Sequence, residues 1–318
     1  MSRRLRNTLI GLLLFAALFF YPFHGADPIR YIDRATGTEK VEKVPGEFWL
    51  HWLYANPLGE ASLEGLVKRK MVSDWYGKRM DSPESAEKIE PFVKEYGIDL
   101  SEAKKQKFES FNDFFYRELK AGARKIDSAS NILISPADGK VFAYSNVSKQ
   151  DFIVKGYRFN LQEYLQDSAL ARKFAGGALI IVRLCPTDYH RFHFPLSGNI
   201  IRETKISGDY YSVSPIALRK KIELLCMNKR EYVLLRNPDF GDVLVSEIGA
   251  TLVGGIVQTY KGTEARKGQE KGYFKFGGST VLMLFEKGKI KIDADLLEHT
   301  AKGLETAVLM GERLAVIN

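Results

Sequence analysis

The pattern of hydrophobic residues changes near Asn131, and this change constrains the fold more than any other feature of the chain. From there onward, short β-branched and aromatic runs alternate with Gly, Asp and Asn, a pattern typical of strands joined by tight turns. A helical pattern interrupts them only at Leu161–Phe174. We therefore expect a mostly antiparallel β core built from Ile132–Ile134, Val141–Tyr144, Leu179–Leu184, Ile200–Ile206, Tyr232–Leu235, Val243–Ile248, Thr251–Gln258, Thr280–Phe285 and Ile290–Ile292.

The region 30–125 has a different pattern and is predicted to be mainly helical. Apolar residues recur at helical spacing between Leu63 and Trp75. Residues 81–107 are rich in Glu and Lys and are predicted to form a solvated helical stretch. The fold class is therefore α+β, with a helical N-terminal layer on a β-rich region at 126–318.

The segment Glu47–Tyr54 is unusually aromatic. One interpretation is a buried helix, since large aromatic side chains are mostly buried. The other is an interfacial patch, because Trp and Tyr favour the level of lipid headgroups. The sequence leaves both interpretations open.

Residues 1–23 combine a basic start with an apolar run. Arg3, Arg4 and Arg6 precede the uncharged run Leu9–Phe20. A signal peptide has this layout, but no clean small-x-small cleavage site follows. The run is also short for a transmembrane helix, which needs about 20 apolar residues. We expect an uncleaved anchor or membrane-dipping helix with its basic end on the cytoplasmic side.

The chain is basic, since 47 Lys and Arg against 39 Asp and Glu give a formal net charge of +8. The basic residues are scattered, and no zinc-finger, helix-turn-helix or RNA-binding motif accompanies them, so nucleic acid is not an expected partner. A basic surface also suits an anionic membrane. Cys185 and Cys226 form no disulfide framework and are compatible with a reducing compartment.

The segment Phe-Lys-Phe-Gly-Gly-Ser-Thr at 274–280 places a hydroxyl group directly after two glycines. Glycine tolerates strained dihedral angles, so Ser279 can bend back toward the carbonyl of Gly278. The apolar run at 281–285 has the composition of a buried strand. A plain turn leading into a strand is the simpler interpretation, and the segment alone does not exclude it.

Two further segments supply the residue types that activate a serine. SPADGK contains Asp138, and RLCPTDYHRFH contains His190 and His193. Asp138 before a glycine is also common in tight turns. The i, i+3 spacing of the histidines suits two metal ligands on a helix, but a zinc site needs further ligands, and we predict no metal. Cys185 is interpreted as a small buried hydrophobe rather than a nucleophile.

Taken together, these segments resemble the phosphatidylserine decarboxylase proenzymes. The resemblance extends from about Ile29 to Gly311 and is closest to the bacterial type with Gly-Gly-Ser-Thr in place of Leu-Gly-Ser-Thr. The extra glycine leaves the glycine–serine bond itself unchanged. Seven ordered motifs carry the resemblance: FNDFFYREL at 111–119, SPADGKV at 135–141, CPTDYHRFH at 185–193, YYSVSPIAL at 210–218, NKREY at 228–232, IGATLVGGIVQTY at 248–260 and KGYFKFGGSTV at 271–281.

The resemblance implies a relay of three residues. Asp138 would orient His193, and His193 would accept the proton of the Ser279 hydroxyl as it attacks the Gly278 carbonyl. The resulting ester would undergo β-elimination, which splits the chain at Gly278–Ser279. The family pattern places the fourth candidate, His190, near the substrate as a proton donor or carboxylate partner.

The same resemblance implies the products and the reaction. Cleavage would give a β chain of 1–278 and an α chain of 279–318, which remain together as a heterodimer. Ser279 would become a covalent pyruvoyl group, the expected cofactor, which acts as an electron sink. The implied activity is decarboxylation of phosphatidylserine to phosphatidylethanolamine in phospholipid biosynthesis, at the cytoplasmic face of the cell membrane.

Other classes of protein remain as alternatives. A Ser-His-Asp hydrolase would use the same residue types, but no Gly-x-Ser-x-Gly elbow surrounds Ser279. A non-catalytic, membrane-associated lipid-binding protein would account for the basic charge and for Trp49 and Trp52. A pyruvoyl decarboxylase for a soluble amino acid is a third alternative, and the hydrophobic N-terminus argues against it.

Overall fold

A computed structural model describes residues 2–20, 27–148, 159–221, 223–251 and 255–318 of the chain. Its strands are β1 (Arg30–Asp33), β2 (Thr38–Val41), β3 (Ile132–Ile134), β4 (Gly139–Tyr144), β5 (Leu179–Leu184), β6 (Arg191–His193), β7 (Gly198–Ile206), β8 (Arg230–Asn237), β9 (Gly241–Ile248), β10 (Ile256–Gln258), β11 (Glu264–Ala265), β12 (Glu270–Phe274), β13 (Ser279–Phe285), β14 (Ile290–Ile292), β15 (Glu305–Val308) and β16 (Arg313–Ile317).

Short helices cover the N-terminal region and the connections between strands. They are α1 (Arg3–Phe19), α2 (Glu47–Ala55), α3 (Pro57–Ser62), α4 (Lys70–Asp81), α5 (Ile89–Tyr96), α6 (Phe111–Phe115), α7 (Leu161–Leu165), α8 (Ser168–Phe174), α9 (Pro215–Leu218), α10 (Leu224–Met227) and α11 (Ala294–Ala301). A π-helical turn at Leu63–Val67 precedes α4, and a 3₁₀ helix at Pro83–Lys88 precedes α5.

In the described part of the chain, ten strands form the main sheet, in the order β11-β7-β8-β9-β13-β5-β4-β15-β1-β2. The strand β13 lies near its centre and pairs antiparallel with β9 and β5. All seven residues of β13 are buried. Alternate side chains of a strand point to opposite faces, and accordingly Val281 and Met283 pack in one core while Leu282 and Leu284 pack in the other. The strand that begins at Ser279 is therefore fixed on both faces and along both edges.

Two smaller sheets of three strands each accompany the main one, with the orders β10-β12-β6 and β14-β16-β3. The strand β12 pairs antiparallel with β6, with a register shift between Glu270 and Gly272. Phe192 of β6 and Phe274 of β12 belong to the same core as Val281. The small sheet that carries His193 therefore packs on one face of the main sheet.

The α+β fold class and most of the predicted strands are confirmed. The helical stretch expected at Leu161–Phe174 is interrupted, because Gln166 adopts a positive φ of 50° and the carboxylate of Asp167 caps a new helix. The strand expected at Thr251–Gln258 begins only at Ile256, and residues 252–254 lie outside the described part of the chain.

The region expected to be mainly helical also contributes the hairpin of β1 and β2 to the edge of the main sheet. The strand β1 pairs in parallel with β15, whereas the other described pairings between named strands are antiparallel. Glu39 lies on the edge strand β2, where a charged side chain reaches solvent, and it forms an ion pair with Arg30 of β1.

The last carbonyl groups of the N-terminal helix α1 accept hydrogen bonds from side chains at and just after α2. Trp52 Nε1 donates to Phe19 O at 3.1 Å, and Asn56 Nδ2 donates to Leu18 O at 2.8 Å. Tyr21, Pro22 and Phe23, included in the predicted anchor, lie outside the described residues. Within the described ranges, the helices are too short or too polar to span a membrane.

Candidate active site

The sheet register brings the three key motifs to one end of the main sheet. Ser279, the first residue of β13, pairs with Leu184 at the end of β5. On the other side of β5, Lys140 pairs with Arg183, near the start of β4. Because adjacent strands are about 4.8 Å apart, the turn that contains Asp138 and the loop that follows Leu184 both lie close to the scissile bond.

Ser279 is fully buried, and its Oγ has no hydrogen-bond partner in the described part of the chain. A buried hydroxyl group without a partner costs free energy, so its presence calls for a functional explanation. The two preceding residues explain how the chain reaches this position. Gly277 has a φ of 140°, in the range that favours glycine, and a Cβ on Gly278 would lie 3.4 Å from a methyl group of Val213.

His193 lies on β6 and is also buried. Its backbone N–H donates to Pro136 O at 2.8 Å, which fastens this strand to the SPADGK turn. The ring packs against Tyr189 with centroids 5.9 Å apart, and Nδ1 has no partner among the described residues. Burial lowers the pKa of His193 to about 4. The imidazole is therefore neutral at pH 7 and can accept a proton.

Asp138 is buried and makes hydrogen bonds that the sequence did not predict. Arg124 donates to both carboxylate oxygens, with Nη2 2.6 Å from Oδ2 and Nε 2.9 Å from Oδ1. The backbone N–H of Met310 also donates to Oδ1, at 2.8 Å. Arg124 in turn binds Glu102 at 2.6 Å. Asp138 is thus held rigidly by the loop at 120–125 and by the end of β15.

The structure gathers the predicted relay at one end of the sheet without joining it by direct hydrogen bonds. Within the described ranges, Asp138 bonds to Arg124 and Met310, whereas Ser279 Oγ and His193 Nδ1 are unpartnered. Asp138 and His193 share Tyr189 as a neighbour, since burial and the Asp138 charge both raise the pKa of this tyrosine. The side chains would have to rearrange to complete the relay.

His190 occupies a separate pocket of aromatic residues. Its ring lies on Phe115, with centroids 3.8 Å apart, and Phe115 also packs on Phe276, two residues before Gly278. Nδ1 lies 2.9 Å from the carbonyl of Asp188, while Nε2 has no partner in the described structure. Burial lowers the pKa of His190 to about 3.

This arrangement assigns a structural role to the FNDFFYREL motif. The short helix α6 begins with Ser110 Oγ accepting from Asp113 N, and it presents Phe115 to His190. The histidines themselves do not share a helical face, because His190 precedes the strand that contains His193. Among the residues that the structure describes, no group of three His, Cys, Asp or Glu side chains is arranged to hold a metal.

A cavity of about 390 Å³ opens beside the scissile bond. Gly277 and Gly278 line it on one side, and Leu50 and Leu53 of α2 line it on the other. The aromatic segment therefore fits both interpretations in part: Trp52 and Tyr54 are buried, whereas Phe48 and Trp49 are each 55% exposed, and Trp49 also lines the cavity. The volume is of the size that holds a small ligand.

Two buried charged residues, Glu42 and Arg183, line this cavity. Arg183 donates to Glu42 and Glu305, with closest distances of 2.7 and 2.6 Å. Burial opposes the charge of Glu42, but Arg183 and Lys140 outweigh it and lower the pKa of Glu42 to about 2. Cys185 Sγ donates to Glu42 at 3.0 Å, and burial raises the pKa of the thiol to about 12. Cys185 is buried as predicted, but it also serves as a hydrogen-bond donor.

Comparison with known proteins identifies the family of this chain. The family model described as phosphatidylserine decarboxylase matches residues 111–316. Three curated relatives are described as phosphatidylserine decarboxylase proenzymes.

That of Fusobacterium nucleatum is 54% identical over 291 residues, covering 90% of this chain and 97% of the relative. That of Desulfitobacterium hafniense strain Y51 is 49% identical over 292 residues, covering 91% and 98%. That of Clostridium perfringens strain SM101 is 49% identical over 290 residues, covering 90% and 99%. The resemblance inferred from the motifs is confirmed, and the chain belongs to the phosphatidylserine decarboxylase family.

Proposed function

We propose that the chain is a self-processing enzyme that decarboxylates phosphatidylserine to phosphatidylethanolamine and carbon dioxide. The observation that carries the proposal is Ser279 itself. Its hydroxyl group is buried and has no hydrogen-bond partner within the described structure. Ser279 is also the first residue of the central strand β13 and directly follows Gly277 and Gly278. Conversion of this serine would account for the arrangement and fits relatives that are named decarboxylase proenzymes.

The first step is an N-to-O acyl shift within the chain. Ser279 Oγ attacks the carbonyl carbon of Gly278 while His193 accepts the hydroxyl proton. The C–N bond of Gly278–Ser279 then breaks, and the amine of Ser279 leaves with the returned proton. The neutral state of His193 at pH 7, caused by burial, supports its role as the base.

The second step splits the polypeptide into two chains. A base removes the Cα proton of Ser279 and the Cβ–O ester bond breaks, which leaves a carboxylate on Gly278 and a double bond at residue 279. Tautomerisation to the imine and addition of water expel ammonia and give the pyruvoyl group at the start of the α chain, 279–318. The β chain, 1–278, remains attached through the ladders that β13 forms with β5 and β9.

The surroundings of Ser279 fit a pyruvoyl group. The side-chain site is shielded from water, and Gly278 beside it opens to the cavity that would receive the substrate headgroup. A pyruvoyl group supplies a reactive carbonyl for the substrate amine and an electron sink for decarboxylation. The chain would hold the pyruvoyl group at the start of β13 and exclude water with apolar side chains of α2. His190 would serve as a proton carrier.

The hydrogen-bonding of His190 defines which nitrogen carries the proton. Nδ1 faces the carbonyl of Asp188, so Nδ1 bears hydrogen and Nε2 presents a lone pair. Nε2 can therefore accept a proton from the substrate amine and return it to the product. This supports a role for His190 in turnover, separate from the role of His193 in self-cleavage.

The direct test is an activity assay on purified protein with vesicles that contain phosphatidylserine. We expect release of carbon dioxide and formation of phosphatidylethanolamine by the wild type, and neither product with Ser279→Ala. A fully cleaved wild-type protein that converts no phosphatidylserine would contradict the proposed substrate. A hydrolase, by comparison, would remain one intact chain.

We also propose that one face of the N-terminal helices binds the membrane, with the basic start of α1 on the cytoplasmic side. Its apolar side chains are strongly exposed: Leu12, Leu13, Leu14, Phe48, Trp49, Leu66, Met71 and Trp75 are between 53% and 70% accessible to solvent. Large exposed apolar side chains on successive helices are typical of interaction sites. The residues Trp49, Val67 and Tyr76, which line the cavity, connect this face to the site.

Deletion of residues 1–23 should weaken membrane binding but leave self-cleavage intact. The deletion removes the apolar surface of α1, each buried methylene of which contributes about 0.8 kcal/mol, whereas the cleavage residues lie on the sheet. The apolar part of the attraction shrinks and the electrostatic part becomes a larger share of it, so turnover should become more sensitive to salt. We would measure co-sedimentation with anionic vesicles and decarboxylation across a salt series.

A pair of point variants controls for general effects of the deletion. Leu13→Lys adds a charge to the exposed face of α1, and Ile201→Lys adds the same charge to an exposed position on β7. We expect weaker sedimentation only for the first. Equal curves for the deletion and the full chain would show that α1 is dispensable for attachment, with Phe48–Tyr54 the next candidate.

A further inference from the structure

A buried ion pair lies on the same face of the main sheet as Ser279. Lys271 and Glu247 are both 0% exposed, and Nζ lies 2.6 Å from Oε2. Gln258 completes the cluster by accepting from Lys271 at 3.0 Å and donating to Glu247 at 2.9 Å. The ammonium group also lies over three aromatic rings, those of Phe192, Phe194 and Tyr260.

The position of Glu247 relative to the cleavage site follows from the sheet register. Glu247 of β9 pairs with Val281 of β13. Side chains two residues apart on a strand share a face. Ser279, the first residue of β13, therefore lies on the same face as Val281. Diagonal neighbours of this kind are about 7–8 Å apart. The pair therefore lies beside the strand end that carries the serine.

Lys271 approaches from the small sheet, through an irregularity in β12. Glu270 pairs with His193 and Gly272 pairs with Phe192, which leaves Lys271 as the extra residue of a β-bulge. Bulges redirect a side chain and are frequent next to active sites. The ion pair thus joins β9, which adjoins the Ser279 strand, to β12, which adjoins the His193 strand.

Glu247 shares one feature with the residues of the candidate site: a buried side-chain atom without a hydrogen-bond partner. In the described ranges, six buried side-chain atoms lack a hydrogen-bond partner. One belongs to Ser73, and the other five are Ser279 Oγ, Thr280 Oγ1, His190 Nε2, His193 Nδ1 and Glu247 Oε1. Burial raises the pKa of Glu247, and the charge of Lys271 offsets only part of this increase. Such groups concentrate where chemistry, rather than stability, sets the arrangement.

Stability alone does not account for the pair, because an apolar pair of similar volume often stabilises a core equally well. We infer that Glu247 and Lys271 are positioning residues that fix the strand after Ser279 relative to the strand that carries His193, in the arrangement needed for attack on Gly278. This inference rests on the proposed self-cleavage. Neither residue touches the reacting atoms in this role.

The test compares cleavage rate with stability in the full chain. Glu247→Leu/Lys271→Met replaces the ion pair by apolar residues, and Glu247→Gln removes the charge with little change in volume. We expect conversion of newly translated precursor into two chains to slow by about tenfold or more in both variants. The Tm, measured in a Ser279→Ala background so that every chain is uncleaved, should stay close to the parent for the double variant.

A matched control uses the opposite face of the same strand. Tyr164 donates to Ser246 at 2.7 Å in the other core, so Tyr164→Phe/Ser246→Ala also removes a buried polar pair from β9. This control should cleave at the wild-type rate. Hydroxylamine, which cleaves esters, then identifies the stalled step. A chain that fails to position Ser279 accumulates no ester, and hydroxylamine should not accelerate its cleavage.

Each other outcome overturns the inference. Wild-type cleavage rates in both variants would show that the pair is dispensable for positioning. Rapid splitting of the slow variants by hydroxylamine would show that attack is intact and a later step is affected. A wild-type chain that never cleaves would instead refute the proposed function, so the two failures are distinguishable.

Discussion

His193→Ala and Asp138→Ala should remain single chains of 318 residues under conditions in which the wild type is processed. Without His193 the Ser279 hydroxyl has no base, and loss of a member of such a relay lowers the rate by about 10³-fold or more. Loss of Asp138 releases Arg124 and the Met310 N–H from the turn that is fastened to His193. Denaturing electrophoresis of freshly translated protein over time measures the effect.

The control for this experiment is His299→Ala, which removes a histidine that bonds to Thr306 and should be processed normally. The dependence on pH provides a second check. Because burial lowers the pKa of His193 from 6.5 to about 4, cleavage should continue below pH 6.5 and fail only as the pH approaches that lower value. Normal processing of His193→Ala would refute the assignment of the base.

The same histidines make folding sensitive to acid. The pKa of each is depressed in the folded state, to about 3 for His190 and about 4 for His193. The unfolded chain therefore binds more protons below about 6.5. Their contribution to stability is complete above that pH and is lost as the pH falls through the two lowered pKa values.

His190→Ala should give the opposite phenotype, with normal chain cleavage and severely reduced decarboxylation. His190 contacts Phe115 and the Asp188 carbonyl rather than the SPADGK turn, so its loss leaves the processing residues in place. Removal of a proton carrier typically costs about 10²–10⁴-fold in turnover. The measurement is carbon dioxide release per mole of fully cleaved protein.

The aromatic neighbour of His190 offers a matched control. Phe115→Leu keeps an apolar contact with the imidazole and should retain most of the turnover. If His190→Ala blocks cleavage while His193→Ala permits it, the two assignments are reversed.

Local patterns were sufficient to predict the core strands and the position of Ser279 at the start of one of them. β13 could be predicted because its seven residues are buried and apolar or small, and the two glycines before it indicate a turn. By contrast, β1 and β2 were missed because short, largely polar strands resemble loops. The break at Gln166 depends on a positive φ at a non-glycine residue, which few sequence patterns indicate.

The supporting contacts of the site could not be predicted, because they join residues far apart in the chain. Arg124 is a basic residue in a loop of no recognised motif, and only folding brings it to Asp138. Lys271 belongs to a recognised motif, yet lysine is among the residues least often buried. Its partner Glu247 lies 24 residues away. Such pairs emerge from sheet register, and a single sequence does not specify register across separate sheets.

The most direct test of the account is intact mass spectrometry of purified wild-type protein beside Ser279→Ala. We predict that the wild type consists of two chains, with termini at Gly278 and at residue 279. The smaller chain should be lighter by one ammonia than a peptide beginning with serine, as a pyruvoyl terminus requires. Ser279→Ala should have the mass of the uncleaved chain. An intact, unmodified wild-type polypeptide with full decarboxylase activity would contradict the account.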